Sequence, residues 1–429
     1  MKLKKPKNWN FTPLEQQLEF VIGGDWGKDE KYKDDNYKFA YCIRGSEIKK
    51  WDEEKGITAS LRKVKKSSLE SRKLKVGDIL VEISGGGPDQ PVGRTVLIDK
   101  AALSFKSDIP KICTNFLRLI RPVSEINSTY LNYFLKLFYS SGEIVKYQGG
   151  SNNLRNLKFP DFIKIEIPIP PLHEQQAIVS KIEELLSELE NGKKQLQIAQ
   201  QQLKVYRQSL LKWAFEGKLT NKKVKEGELP ERWKWVKLGE VCHNVEYGSA
   251  TKSKKVGKVP VLRMGNIQNG KFEWEDLVYT DDKEEIEKYI LKKGDVLFNR
   301  TNSAEWVGKT AQYKGERPAI FAGYLIRINR IETIIDSTFL TYYLNTHAAK
   351  QFGNSVKSFG VNQSNINGTK LKTYPMPLPP LKEQHQIVNE LESKLTVCDN
   401  IEGTISKSLQ QVETLRQSIL KKAFEGELI

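Results

Sequence analysis

Residues 171–219 and 380–428 are two copies of one pattern, offset by 209 positions without a gap. The first reads PLHEQQAIVSKIEELLSELENGKKQLQIAQQQLKVYRQSLLKWAFEGKL; the second ends RQSILKKAFEGEL where the first ends RQSLLKWAFEGKL. In each copy an apolar residue returns every three or four positions, as heptads require. One line is Ile182, Leu189, Leu196, Leu203 and Leu210, matched by Leu391, Cys398, Ile405, Val412 and Ile419. The second line is Ile178, Leu185, Gly192, Ala199, Tyr206 and Trp213, matched by Ile387, Lys394, Ile401, Ser408, Leu415 and Lys422. Gly192 weakens the first copy, and Lys394, Ser408 and Lys422 the second. Prolines stand before both stretches and a glycine near both ends, so each predicts a helix of about 40 residues, about 60 Å long. A narrow seam flanked by Lys, Glu and Gln suits a single helical partner, and the simplest partner for each copy is the other. A whole globular segment separates them in sequence, so antiparallel packing is expected, with Glu174, Gln175 and Arg207 recurring as outward-facing Glu383, Gln384 and Arg416.

The duplication reaches beyond these helices. INSTYLNYFL (126–135) matches IDSTFLTYYL (335–344) at the same offset, and each reads as a capped helix with Ser128 or Ser337 as the expected cap. LKVGDILVEI (74–83) matches LKKGDVLFNR (291–300), and VGRT (92–95) matches VGKT (307–310). YCIRGSEI (41–48) resembles VLRMGNI (261–267), and NWNFTPLEQ (8–16) resembles RWKWVKLGE (232–240). GDIL and GDVL are turn-to-strand signatures. VLID (96–99), FLRLI (116–120), IKIEIPI (163–169) and YLIRI (324–328) read as further strands. The expectation is an α+β tandem repeat related by a pseudo-twofold. Domain 1–170 and domain 232–379 each carry a bent, mostly antiparallel sheet. Helices 171–219 and 380–429 separate them, and the polar segment 220–231 is a linker.

Length and composition fit this plan: 429 residues suffice for two cores, and 38% hydrophobic content is that of a globular protein. Apolar runs fall short of the roughly 18 residues that mark a transmembrane helix, so no membrane partner is expected. The start, MKLKKPKNWNFTPL, lacks the apolar core of a signal peptide. Cys42, Cys113, Cys242 and Cys398 are far apart and read as reduced thiols of a cytoplasmic protein. The net charge of +16 favours a polyanionic partner, nucleic acid first.

Catalytic motifs do not emerge. The nearest phosphate-loop match, 303–310, lacks its first glycine and does not open a helix. No Asn- or Asp-Pro-Pro-aromatic tetrad is present, nor a glycine-rich dinucleotide fingerprint. The histidines His173, His243, His347 and His385 are dispersed. Asp161 and Glu166 faintly resemble a nuclease pattern, but Pro168 stands where its lysine would be.

Binding chemistry remains. Arg62, Lys63, Lys65 and Lys66 lie in a basic run (62–75) whose counterpart, 251–258, contains Lys254 and Lys255. Such runs suit phosphates. Reading bases needs amide or planar groups, and two loops in each half supply them. One follows GDIL or GDVL, with Ser84 and Gln90 in the first half and Asn299, Arg300 and Asn302 in the second. The other precedes each long helix, with Asn152, Asn153 and Arg155, and then Asn362, Gln363 and Asn365. Arg44 and Arg263, with Arg94 and Lys309, complete the candidate DNA contacts from the other matched segments. Segments between the matched ones diverge, as 49–73 and 268–290 do, which points to one task performed on two different targets.

The order of variable domain, long helix opening with PPL-x-EQ and closing with AFEG, then a second such pair, resembles the specificity subunit of type I restriction–modification systems. That resemblance implies two target recognition domains, each reading half of a split site in double-stranded DNA, and the divergent segments make that site asymmetric. It implies an antiparallel helical spacer, and about 60 Å of helix would make that spacer a ruler between the half-sites. Two copies of a methyltransferase subunit, and restriction subunits in the full complex, dock around it. It also implies no catalysis and no cofactor in this chain, with S-adenosylmethionine and ATP on the partners. The competing readings are a coiled-coil scaffold with protein-binding domains and a self-sufficient methyltransferase or nuclease. The basic runs oppose the first, and the missing motifs oppose the second.

Overall fold

The computed structural model describes residues 4–87, 89–150, 154–221, 223–225, 227–303, 305–359 and 363–429. The chain divides into two compact units, Met1–Leu196 with Lys407–Ile429, and Gln197–Ser406.

Unit 1 is built on a four-stranded antiparallel sheet in the order Leu18–Gly23, Leu117–Pro122, Ile79–Glu82, Thr95–Leu97. A three-stranded sheet adds Ser60–Lys65, Tyr37–Ile43 and Lys111–Cys113, the last pair parallel. Asn10–Pro13 pairs with Glu166–Ile169. Unit 2 has the same plan. Its four strands run Cys242–Tyr247, Leu325–Arg330, Val296–Asn299, Thr310–Gln312. Its three-stranded sheet is Val278–Thr280, Val259–Leu262 and Ile320–Phe321, again with one parallel pair. Lys234–Lys237 pairs with Pro375–Leu378. The expected single bent sheet is thus several small sheets in each unit, mostly antiparallel. The GDIL and GDVL turns work alike. Gly77 and Gly294 take φ of +95° and +96°, the left-handed region that glycine enters without strain. Asp78 and Asp295 then accept the backbone N–H of Lys75 (2.7 Å) and Lys292 (2.9 Å).

The helix Ser128–Ser140 buries Tyr130, Leu131, Phe134, Leu135 and Phe138, one stripe at helical spacing. Its counterpart, Ser337–Leu344, buries Phe339, Leu340 and Tyr343. The caps are not the expected serines but the residues before them. The Asn127 side chain accepts from the N–H of Thr129 and Tyr130, and Asp336 from Thr338 and Phe339. Asn and Asp reach the free N–H groups of the first turn at least as well as serine does.

The long helices are Leu172–Phe215 and Leu381–Phe424. In unit 1, Ile178, Val179 and Ile182 near the start of the first share a core with Leu420, Ala423 and Phe424 at the end of the second. In unit 2, Leu210, Ala214 and Phe215 share a core with Ile387, Val388, Leu391 and Cys398. The phenylalanine of each AFEG ending is a wedge. Phe424 sits against Tyr130 (5.0 Å between ring centres) and Phe134 (5.3 Å). Phe215 sits against Phe339 (5.0 Å) and Tyr343 (5.2 Å). The following glycines, Gly217 and Gly426, have φ of +77° and +69°, and a Cβ on either would meet Pro230 or Pro6.

Leu391, Cys398, Ile405 and Val412 are buried, as are Ile182 and Leu210, while Leu189, Leu196 and Leu203 are half-buried. The second heptad line holds only in part: Ile178 and Ile387 are buried, and Leu185, Ala199, Lys394 and Ser408 are half-buried. Gly192, Tyr206, Trp213, Ile401, Leu415 and Lys422 are exposed, and Ala214 and Ala423 turn inward instead. An α-helix drifts about 20° per heptad from a 3.5-residue repeat, and seating Phe215 and Phe424 fixes the phase at the ends. Nor do the polar residues of the duplicated motif face outward. Gln175 and Gln384 are buried clamps. Gln175 accepts from Asn127 N–H (2.8 Å) and donates to Pro170 O (2.9 Å), and Gln384 does the same with Asp336 (2.8 Å) and Pro379 (2.9 Å). Glu174 accepts from the Trp9 indole, and Glu383 from Thr220 and Asn221. Arg207 pairs across to Asp399 (2.6 Å) and Glu402 (2.9 Å), and Arg416 to Glu190.

Among the described residues no helix is long and apolar enough to cross a membrane. No cluster of His, Cys, Asp and Glu able to hold a metal is found among them. The four cysteines are free and buried; burial pushes the thiols of Cys42 and Cys113 up to about 12.

Candidate nucleic-acid interface

In each unit the two amide-rich loops, far apart in sequence, are brought together. The strand after GDIL continues as Ser84–Gly86 and pairs with Arg155–Leu157, which pairs with Gln148–Gly149. In unit 2 Thr301–Asn302 pairs with Ser364–Asn365, which pairs with Ser358–Phe359. The junction residue is handled identically. Ile83 donates to Phe116 O and accepts from Leu157 N–H, both at 2.9 Å; Arg300 donates to Tyr324 O (3.1 Å) and accepts from Ile366 N–H (2.9 Å). Ser84 faces Asn156, and Thr301 faces Asn365.

Ser84, Arg155, Asn302 and Asn365 are partly open on these small sheets, and Gln90 and Gln363 are exposed beside them. Asn152, Asn153 and Asn362 lie outside the described residues. Two candidates point elsewhere. Asn299 is fully buried, and its amide donates to Trp306 O (3.3 Å), so it does not reach a base edge. Arg300 donates through Nη1 to Gly323 O (3.2 Å) and packs over the Tyr247 ring.

The basic run divides by strand alternation. Lys65 and Lys66 are exposed at the end of Ser60–Lys65. Lys63 lies 3.9 Å from the centre of the Phe39 ring. Arg62 stacks on Trp26 at 4.4 Å and donates to its carbonyl (3.2 Å). In unit 2 Lys255 is exposed, while Lys254 pairs with Asp281 at 3.1 Å. That contact, with the Lys258 N–H, holds the Asp281 carboxyl below its usual range.

The remaining candidates are pinned by partners. The Arg44 guanidinium donates through Nε to Glu47 (2.8 Å), and that of Arg94 to Glu82 (2.8 Å); both carboxylates are buried. The hydrogen bond to Glu82 raises Arg94 further above its ordinary pKa. Arg263 donates to Asp276 O (2.8 Å), and Lys309 to the Gln268 side chain (2.8 Å), with burial and then Lys350 lowering the lysine pKa. Arg44, Ser84, Gln90 and Arg94 meet in one cleft of unit 1, about 770 Å³ in volume. Trp26 and Phe116 also line it, and the sequence did not single them out. Phe116 opens a segment that reads simply as a strand, and Trp26 sits in the loop after Leu18–Gly23, so only the folded chain joins them.

A family model described as the type I restriction modification DNA specificity domain matches residues 6–200 and again 230–411. The chain belongs to this family. The specificity subunit of type I restriction enzyme StySPI from Salmonella potsdam is 30% identical over 99% of this chain and 90% of that protein. The EcoKI specificity subunit of Escherichia coli K12 is 29% identical over the same shares. Among solved structures, the HsdS subunit from Thermoanaerobacter tengcongensis superimposes with a TM-score of 0.66 at 20% identity, covering 99% of this chain and 98% of that one. A chain from a type I R-M system, solved in a study of complex assembly and conformational transition, gives 0.70 at 20% identity with full coverage of both. These likenesses show the fold.

Proposed function

We propose that this chain is the non-catalytic DNA specificity subunit of a type I restriction–modification enzyme, acting in the cytoplasm. Residues 1–170 and 232–379 are its two target recognition domains, each reading one half of a bipartite, asymmetric site. Helices 171–219 and 380–429, with linker 220–231, form an antiparallel spacer that sets the gap between half-sites. The observation that carries this reading is the paired convergence of amide-bearing strands on the same backbone frame, with Ser84 and Asn156 in one unit and Thr301 and Asn365 in the other. Around this equal frame the open side chains differ, Gln90 and Arg155 in one unit and Asn302 and Gln363 in the other, which suits two different half-sites.

Two copies of a methyltransferase subunit bind the spacer, and restriction subunits complete the assembly; S-adenosylmethionine and ATP bind these partners. The support for two copies is a duplicated exposed surface. Gln201, Gln202, Gln208 and Lys212 recur as Gln410, Gln411, Gln417 and Lys421, all exposed. Like surfaces recruit like partners. The test is exchange of residues 1–160 for the matching part of a relative, co-expression with the methyltransferase, and mapping of methylated sites. One half-site should change and the other persist. A change in both halves would contradict the reading.

A further inference from the structure

The unit 1 cleft combines features that a phosphate contact does not need. Two of its aromatic side chains are open, Trp26 at 37% and Phe116 at 48% exposure. Two arginines enter it already oriented. Arg44 uses Nε and Nη2 on Glu47 and Thr58 O, and Arg94 uses Nε and Nη2 on Glu82 and Gly45 O. Neither Nη1 has a hydrogen-bond partner among the described residues. Because Glu47 and Glu82 neutralise them, these arginines add little long-range pull on phosphate. What they offer is fixed N–H donors beside aromatic faces.

Fixed donors, aromatic walls and this volume suit a planar, acceptor-bearing ring. Bases inside a duplex are read by elements that protrude into a groove, whereas a concave pocket receives a base that has left the stack. We propose that the unit 1 cleft takes up one base turned out of the bound duplex, against Trp26 and Phe116, with Arg44 and Arg94 donating through Nη1 to its acceptor edge. This rests on the DNA-reading role above and concerns unit 1 alone. Gly24 and Gly248 hold the same place in the two units, donating to Leu117 O and Leu325 O, so Trp26 corresponds to Ala250. Unit 2 therefore lacks one of the two aromatic walls.

The experiment uses the full chain without partner subunits, so that no methyltransferase pocket competes for the base. Duplexes bearing its mapped site are prepared with a mismatch at each position in turn of the half-site assigned to residues 1–160. A base read inside the helix loses affinity when mismatched. A base that must leave the stack is released more easily, so a mismatch opposite it should tighten binding, about tenfold or more. At that one position, Trp26→Ala and Phe116→Ala should each lower affinity about 5- to 160-fold, the range for one lost base–aromatic stack. Both side chains are half-exposed, so the variants should keep the wild-type melting curve. Mismatches that weaken or leave binding unchanged at every position overturn the proposal, as does a tightened position indifferent to both variants. Failure to bind any duplex would instead bring down the DNA-reading role itself, which the domain exchange tests separately.

Discussion

Unit 1 and unit 2 share their backbone pairings almost bond for bond, yet differ at the floor of the candidate interface. Glu82 donates its N–H to Arg94 O at 2.9 Å, and Asn299 donates to Lys309 O at 2.8 Å. On this common ladder unit 1 places an Arg94–Glu82 ion pair. Unit 2 places an amide whose buried Oδ1 has no hydrogen-bond partner among the described residues, and a lysine that turns to Gln268. Main-chain hydrogen bonds and a few wedged rings hold the frame, leaving side-chain chemistry at the floor free to change. A frame of that kind lets two halves of one chain address different sequences.

The largest expected effects test whether the frames are equivalent. Phe215→Ala and Phe424→Ala should each cost about 3–5 kcal/mol, the usual loss for a buried aromatic, and each should strike one unit. Cys242 and Cys398 share the core of Phe215, while Cys42 and Cys113 lie in unit 1. With Phe215→Ala, alkylation followed by mass spectrometry should therefore label Cys242 and Cys398 first. Simultaneous labelling of all four thiols would mean that the units open as one.

The floor chemistry comes next. Glu82→Gln leaves the Arg94 charge half-buried with a weaker acceptor and should cost about 2–3 kcal/mol in a denaturant titration. The double change Glu82→Asn with Arg94→Lys copies unit 2 and should recover part of that loss. A neutral Glu82→Gln would show that the pair does not support the floor. The duplicated clamps should behave as twins: Gln175→Leu and Gln384→Leu each remove partners from a buried N–H and carbonyls, at about 1–3 kcal/mol. Markedly unequal losses would break the equivalence of the two helix starts. Smallest of all is Trp213→Ala, expected within about 0.5 kcal/mol because the ring is on the surface. A loss of about 3 kcal/mol or more would return Trp213 to the helix seam.

Periodicity and internal repetition made the tandem plan, both long helices and the strands after GDIL and GDVL legible in the sequence. The inward line from Ile182 to Leu210 was equally plain. The second line holds at Ile178 and Ile387 but not at Tyr206 and Trp213, because an α-helix drifts about 20° per heptad from a 3.5-residue repeat, which a heptad template leaves out. The caps shifted by one residue because Asn127–Ser128 and Asp336–Ser337 each offer two capping side chains, and only the helix start decides between them. Gln175 and Gln384 looked like surface residues because their partners are main-chain groups from separate segments, which no pattern of side chains records. The same reason hides the cleft: Trp26, Arg44, Arg94 and Phe116 come from four stretches that only tertiary folding joins.

The wedge at Phe424 has a consequence for biosynthesis. Unit 2 is one continuous segment, Gln197–Ser406, whereas unit 1 needs Lys407–Ile429. On the ribosome the earlier part of unit 1 must therefore wait while all of unit 2 is translated, about 10–40 s at about 5–20 residues per second. During that interval the Tyr130–Phe134 socket has no plug. Unit 2, which receives its wedge at Phe215 near its own beginning, is able to mature first. Of the two units, the one whose translation starts earlier is thus the one completed later.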